Sequence, residues 1–459
     1  MTTQQKIDFL QRIIDKDSSL VYEDIVIKAM SQAKSVNYLK RVEKIANPLT
    51  YIDSKKLSIN PNASGTMRGL WKSLGLESDV LTGAKEESFS TPVLKELVKT
   101  TFDESTREII QQVLDIGSTK NLLSQYIPAC ELNYTGEGTC FLSVRFPGTK
   151  SYRISGKTEA SGTGLSMVTI PKIIKTAIVA PKGWLIACSD YAALESVISC
   201  NLTHDATKLA SYKENFDGHC LAATTYFPDE IGELLGTPAN SSIEFNKLFN
   251  KERKENTEKG KKLDKLRSSS KGVTFGLEYG SYPPKVAKQL SIPLKEAEGI
   301  FNRFHYELYK GVSIYREEYV LKTALKNGKI HLGFGAFIST KNANKDIRTL
   351  TNSTFQFYSI LTLIAIVKIQ KRIKEAGYEQ DILVYATCHD EISAMIKEEV
   401  KVIKWYNDNL IGCMTKSYLV NQNTPLTANL DIGRVYTEAI ELPNNCSEEY
   451  IQEVLNQLK

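Results

Sequence analysis

Apolar residues return at three- and four-residue steps through positions 7–14, 93–98 and 109–114, with Lys and Glu between them. That spacing makes the first 130 positions read as mostly helical. Asn60-Pro61-Asn62-Ala63-Ser64-Gly65 interrupts it as a loop, and Ser64 or Thr66 is placed to cap a helix carrying Leu70 and Trp71. Over residues 132–154 the texture changes to short alternating runs, CFLSVRF and SYRIS, broken by Thr135-Gly136-Glu137-Gly138 and Pro147-Gly148. These predict antiparallel hairpins. An apolar strand, LIACS, then runs into Asp190, and residues 203–326 return to a mostly helical pattern. Past Gly328 a short hairpin, KIHLGFGAFIS, leads to a long apolar helix over 351–376 that Gly377 ends. A tight hairpin follows, ILVYAT–CHDE–ISAMI, with two carboxylates at its apex.

Composition narrows the class. In 459 residues, 42% hydrophobic and 24% charged positions exclude a disordered chain, a collagen-like repeat and a disulfide scaffold. At about 100–200 residues per domain the length predicts two to four compact units. Lys+Arg 58 against Asp+Glu 53 leaves a net +5, too mild on its own to indicate nucleic acid. The one charge run, KLFNKERKENTEKGKKLDKLR (247–267), reads either as a solvated helix or loop or as a phosphate-facing surface. Eight scattered cysteines without a C-x-x-C pair suit a reducing compartment and argue against structural zinc. The polar N-terminus lacks a secretory h-region, and the apolar stretch 355–367 is short and interrupted by Gln356, Ser359 and Thr362. No membrane association and a cytoplasmic location are therefore expected.

Three groups of residues carry chemistry. Asp190 and Asp390 each end or crown an apolar strand, where burial disfavours a lone charge. Either one alone also reads as a turn former; together they suggest a divalent-metal site, since hard cations prefer carboxylate oxygens. Arg267, Lys271, Phe275 and Tyr279 recur every four residues, one stripe on a helix. Two cations followed by two aromatics form a surface for a nucleoside triphosphate, or else the mixed face of an amphipathic helix. Arg348, Asn352 and Gln356 repeat the step with no acid among them, which suits hydrogen bonding in a nucleic-acid groove or an exposed polar face.

Taken in order, these groups resemble the family A DNA polymerases, the bacterial polymerase I type that includes many phage replicases. SDYAALE (189–195) resembles motif A of that family, RSSSKGVTFGLEYG resembles motif B (R-x3-K-x3-F-x3-Y-G), and CHDE (388–391) resembles motif C. Arg348, Asn352 and Gln356 match the family's R-x3-N-x3-Q helix, and Phe216-Asp217-Gly218-His219 sits where the family has Asp-x-His. The resemblance implies an α+β right-hand polymerase fold with an antiparallel palm sheet, helical fingers and a helical thumb. It places the thumb at 1–130, the palm at 131–205 and 329–459, and the fingers at 206–328.

The implied reaction is attack of a primer 3′-hydroxyl on a dNTP, assisted by two Mg2+ ions, with Mn2+ as a substitute. By resemblance, Asp190, Asp390 and the Tyr191 carbonyl are the metal ligands, with Glu391 as a catalytic neighbour rather than a direct ligand. Tyr191, Glu195, His219, Arg267, Lys271, Phe275 and Tyr279 bind the dNTP, and Lys271 protonates the leaving pyrophosphate. Arg153, Arg348, Asn352, Gln356 and His389 contact primer-template DNA. Glu195 blocks the ribose 2′-hydroxyl in DNA polymerases of the family. Single-subunit RNA polymerases lack both that Glu and the Glu after His-Asp, so deoxynucleotides are favoured here. Ala193, Val197 and the segment GTGLSMVTIP (162–171) depart from the family pattern where minor-groove contacts or their supports lie. The expected job is phage-type replication without an in-chain 3′→5′ exonuclease, in the host cytoplasm if the protein is phage-encoded, with a separate exonuclease or processivity subunit as a possible partner. Repair or bypass synthesis, and a non-catalytic primer-template-binding subunit, are the alternatives.

Phe275 stands where some phage members of the family carry Tyr, which implies poor use of dideoxynucleotides. Phe275→Tyr is expected to increase chain termination in a primer-extension ladder, and an unchanged ladder removes that assignment.

Overall fold

The helically spaced apolar positions near the start of the chain converge on one tryptophan. The computed structural model describes residues 64–82, 86–133, 142–156, 165–419 and 422–458, so the expected helix at 7–14 and most of the 60–65 loop lie outside the described residues. The chain divides into two units, 1–132 and 133–459. In the first, α1 (Ser64–Ser73), α2 (Thr91–Thr100) and α3 (Glu104–Asn121) enclose Trp71, which is fully buried with Met67, Leu76, Leu94 and Ile110. Leu97, Val98, Ile109, Val113 and Leu114 pack around that cluster, so the predicted apolar stripes are its walls. Each large side chain buried in this way contributes about 1.5–3 kcal/mol. Helix α1 already begins at Ser64, inside the expected loop. Asp103 starts α3 by accepting from the Thr106 N–H at 2.7 Å.

The second unit opens with a correction. Of the expected hairpins of 132–154, positions 134–141 lie outside the described residues, and the described ones hold one ladder of two residues a side, β1 (Val144–Arg145) with β2 (Ser155–Gly156). A preceding helix runs on to Asn133, and the backbone of 148–153 is used in a local turn: the Gly148 N–H reaches Arg153 O at 2.9 Å and the Tyr152 N–H reaches Thr149 O at 3.0 Å. The next strand, β3 (Trp184–Tyr191), feeds α4 (Leu194–Thr203), α5 (Ala206–Lys213), α6 (Gly218–Tyr226) and the long α7 (Glu258–Glu278), with shorter helices between α6 and α7. Further short helical segments lead to the hairpin β4 (Lys329–Gly333) and β5 (Ala336–Ser339). The charge run is divided between a helix that ends at Glu252, a turn, and the start of α7, and is mostly exposed.

The long apolar helix also differs from expectation. It is two helices, α8 (Ala343–Gln356) and α9 (Ile360–Ala376), joined by a 3-10 turn at Phe357–Ser359. Just before the break the Thr351 and Ser353 hydroxyls donate to the carbonyls four residues back, each at 2.8 Å, and such back-bonding bends helices. Ala343–Ala376 taken as one run is long and apolar enough to cross a bilayer by length and composition, although 56% of its most apolar window is buried in this structure. Leu361, Ala365, Ile369 and Ile373 of α9 belong to the main core.

That core lies against a five-stranded antiparallel sheet in the order β6-β7-β3-β8-β9, with β6 (Ile382–Cys388), β7 (Glu391–Lys397), β8 (Ala428–Val435) and β9 (Glu438–Leu442). Alternation assigns Leu185 and Ala187 of β3, Ile392, Ala394 and Ile396 of β7, and Leu430 and Ile432 of β8 to the packed face. Helices α9, α10 (Val400–Met414) and α11 (Glu448–Gln457) supply the rest of the cover. The opposite face carries Cys188, Asp190, Glu391, Asn429 and Asp431, in register across three strands.

Asn201, buried on α4, fixes the segment before β8. Its side chain donates to Val197 O at 3.0 Å and Thr424 O at 2.9 Å, and accepts from the N–H groups of Asn423 and Thr424 at 2.8 and 2.9 Å. Asn201→Ala strands buried backbone groups on both sides and is expected to lower stability by about 2–4 kcal/mol, measured by chemical denaturation.

Candidate active site

Register brings the acids together. Asp190, next to last in β3, is paired with Glu391, the first residue of β7, so the apex His389–Asp390 of the β6–β7 hairpin stands beside the end of β3. The two-residue apex is held by His389 at φ 58°, a left-handed conformation that hairpin turns of this length require. Asp190 is exposed rather than buried, contrary to the sequence expectation, and Asp390 is half-buried. Partial desolvation of the Asp190 carboxyl, then the charges of Asp390 and Glu391, push its pKa up to about 7. Burial also raises Asp390, against the opposing pull of its backbone hydrogen bond, His389 and Arg153. Glu391 is held by the Tyr436 hydroxyl at 2.7 and 2.8 Å to its two oxygens, and by the Ser393 hydroxyl at 2.6 Å. Those bonds hold it as a structural neighbour. Tyr191 turns its side chain into the core, leaving only its main chain toward the acids.

Glu195, in the first turn of α4, makes an ion pair with Arg153. Burial, followed by Asp390 and Glu278, lifts its pKa to about 7. The pair joins two residues that the sequence assigned to separate tasks, one to the sugar and one to DNA.

The four-residue stripe is real and lies on α7. One side of that helix is buried in two small cores: Leu263 and Leu266 pack with Ile231, Phe245 and Phe249, and Val273 and Leu277 with Leu221, Tyr226 and Phe304. The stripe itself stays accessible. Arg267 Nε donates to Asp217 Oδ2 at 2.8 Å, Lys271 is exposed, and the rings of Phe275 and Tyr279 stack with centroids 6.3 Å apart. Asp217 also caps α6, accepting from the N–H groups of His219 and Cys220 at 2.8 and 3.2 Å. The His219 ring lies 5.6 Å from that of Phe275. Desolvation dominates its titration and, despite Asp217, its pKa falls to about 4, so near neutral pH it is an uncharged hydrogen-bonding group. His219 Nδ1 and the Tyr279 hydroxyl are buried without a hydrogen-bond partner.

Arg348, Asn352 and Gln356 follow one another along α8. Arg348 Nε donates to Tyr279 O at 3.1 Å, and the Asn352 amide, with its nitrogen turned to that side, donates to the same oxygen at 3.2 Å. Two of the three side chains thus hold the C-terminal end of α7, and Gln356 is half-buried beyond them. Asp217 and Tyr436 are the supports that motif spacing alone did not assign. Asp217 carried a signal, a cap residue before a helix; Tyr436 is brought to Glu391 by sheet pairing alone.

No cluster of three or more His, Cys, Asp or Glu side chains able to hold a metal occurs among the described residues. The expected set is smaller: two carboxylates and a main-chain oxygen, all hard donors. Acids held near one another, with a pKa raised by burial and then by one another's charge, are groups that a divalent cation would relieve, and in that respect they fit one.

Residues 246–438 match the family model described as DNA polymerase family A. The chain is 22% identical over 385 residues to DNA polymerase I of Pseudomonas aeruginosa, covering 81% of this chain and 37% of the relative. It is 24% identical over 455 residues to the DNA polymerase of Escherichia phage T5, covering 89% and 48%. Among solved structures, the POL domain of Pol1 from M. smegmatis, in complex with DNA primer-template and dNTP, has the same fold with a TM-score of 0.66 at 18% identity, over 94% of this chain and 66% of that one. The α+β polymerase fold is thereby established. The chain spans less than half the length of these two curated relatives.

Asp217 yields a test of the site's scaffold. Burial alone would raise its pKa, but Arg267 and the two α6 N–H groups outweigh it and hold the carboxyl below the usual carboxylate range. A depressed folded-state value stabilises the protein above that range, and the gain is lost as pH falls toward the folded value. Asp217→Asn is therefore expected to cost about 1–3 kcal/mol at pH 7. Denaturation at stepped pH should show the gap to wild type closing below about pH 4.

Proposed function

We propose that this chain is a template-directed DNA polymerase that extends a primer 3′-hydroxyl with dNTPs. The observation that carries the reading is the register that sets Asp190 and Asp390 at one edge of the sheet, with Glu195 in the first turn of the helix that follows and the accessible Arg-Lys-Phe-Tyr stripe on α7. On this reading residues 1–130 are the thumb, 206–328 the fingers, and the five-stranded sheet lies in the palm. Phage-type replication in the cytoplasm is the proposed setting.

Asp190, Asp390 and the Tyr191 main-chain oxygen would hold two Mg2+ ions. When bound, such ions lower the pKa of the attacking hydroxyl and offset charge on the phosphates. The protein's own groups do the rest. Arg267, kept in place by Asp217, and Lys271 bind the triphosphate, and exposed Lys271 supplies a proton to the leaving pyrophosphate. Neutral His219 contributes a hydrogen bond without adding charge. Phe275 and Tyr279 form the wall for sugar and base, and the carboxylate of Glu195 occupies the space a ribose 2′-hydroxyl needs. Arg153, Arg348, Asn352, Gln356 and His389 face primer-template DNA, Arg348 and Asn352 with the donors that Tyr279 leaves free.

Purified protein with Mg2+ and a labelled primer-template should extend with dNTPs, fail with rNTPs, and leave the primer intact without nucleotide. Asp390→Asn should lower extension by about 10²-fold or more, and Glu195→Ala should raise rNTP incorporation by about tenfold. Primer-template binding without extension would favour a non-catalytic subunit. Shortening of the primer without nucleotide would refute the absence of exonuclease activity, and unchanged rNTP use by Glu195→Ala would remove the sugar-gate role.

A further inference from the structure

Lys208 and Glu278 form an ion pair in the protein interior. Lys208 Nζ lies 3.0 Å from Glu278 Oε1, with side-chain exposures of 6% and 4%. Every other ion pair among the described residues has a partner at least 15% exposed. Glu278 is the last residue of α7, where the helix dipole already disfavours a carboxylate. A buried pair gains little stability over apolar residues of similar size, so stability alone does not account for an acid here.

Its surroundings suggest what does. Lys208 sits on α5, whose cap, Asp205, also accepts from the Gly311 N–H at 2.7 Å. A side chain at Gly311 would come within 2.7 Å of Asp205, so glycine permits this approach. The Lys208 ammonium also lies 4.9 Å from the centre of the Tyr309 ring, and the Tyr309 hydroxyl donates to Gly218 O at 3.2 Å. Gly218 precedes His219, and Glu278 precedes Tyr279. Lys208 is thus the node from which both helix ends bearing proposed nucleotide contacts are positioned, one through Tyr309 and the other through Glu278.

We propose that Lys208 and Glu278 are positioning residues that set the relative placement of His219 and Tyr279, and so determine how tightly the incoming nucleotide is held. This rests on the polymerase reading above. Neither side chain touches substrate; the pair acts through the residues beside it.

The test measures steady-state extension and thermal melting on the full chain, comparing wild type, Lys208→Met/Glu278→Leu and Glu278→Asp. The apolar double variant is expected to melt close to wild type, because no charge is left unpaired. Its KM for dNTP is expected to rise about tenfold while kcat changes by less than about twofold. Glu278→Asp keeps the charge but shortens its reach, and is expected to raise KM in the same direction. Should the double variant not fold, Glu278→Asp alone decides. A wild-type KM in a folded variant, with wild type extending normally, overturns the positioning role and leaves the polymerase reading intact. Absence of extension by wild type overturns both.

Discussion

Like charges crowded at one edge of a sheet are the constraint on which the site depends. The β3–β7 register leaves Asp190 nowhere to stand except beside Glu391, and a two-residue apex brings Asp390 to the same edge. Such a cluster is unfavourable unless something offsets it. The protein supplies part of the offset. Tyr436 and Ser393 tie Glu391 down by hydrogen bonds, while His389 and Arg153 work against the rise that burial imposes on the pKa of Asp390. Among the described residues no ion pair offsets Asp190, whose pKa burial and then its acidic neighbours raise to about 7.

The stripe on α7 needs a different kind of support, because a helix with accessible cations and aromatics has to be anchored from behind. Two separate apolar clusters do this along α7, so the helix is held at two places along its length. Polar ties then fix its accessible side. Asp217 orients Arg267, and Arg348 and Asn352 hold the Tyr279 carbonyl that α7 cannot satisfy itself. The donors that sequence assigned to a DNA groove therefore also determine where the stacked rings lie.

What the sequence made legible follows periodicity and punctuation. The stripes around Trp71, the hairpin apex at His389–Asp390, and the helix ends at Gly328 and Gly377 all depend on local spacing or on a residue's own backbone preference. The misses depend on distant partners. The ladder over 142–156 is short because a local turn competes for its backbone, and the long helix breaks where hydroxyls bond back onto it. The exposure of Asp190 follows from its place at the open end of the sheet, which alternation within one strand cannot show. Nor does spacing disclose pairings such as Arg153 with Glu195 or Lys208 with Glu278, separated by 42 and 70 residues.

Backbone conformation supports assigning the chemistry to these turns. Ala193, between Asp190 and Glu195, has φ 54°, and His389 beside Asp390 has φ 58°. A residue with a β-carbon in the left-handed region costs about 1–2 kcal/mol, and such conformations persist where the surroundings over-determine them. At His389 the hairpin imposes the conformation. At Ala193 it is the passage from a sheet edge directly into α4, which leaves two residues to reverse the chain. That short passage places Glu195 in the first turn of α4, close enough for its carboxyl to feel Asp390. A more relaxed connection would need more residues and would carry the acid away from the sheet edge. The strain is thus the consequence of keeping the Glu195 carboxylate close to the acids at the sheet edge.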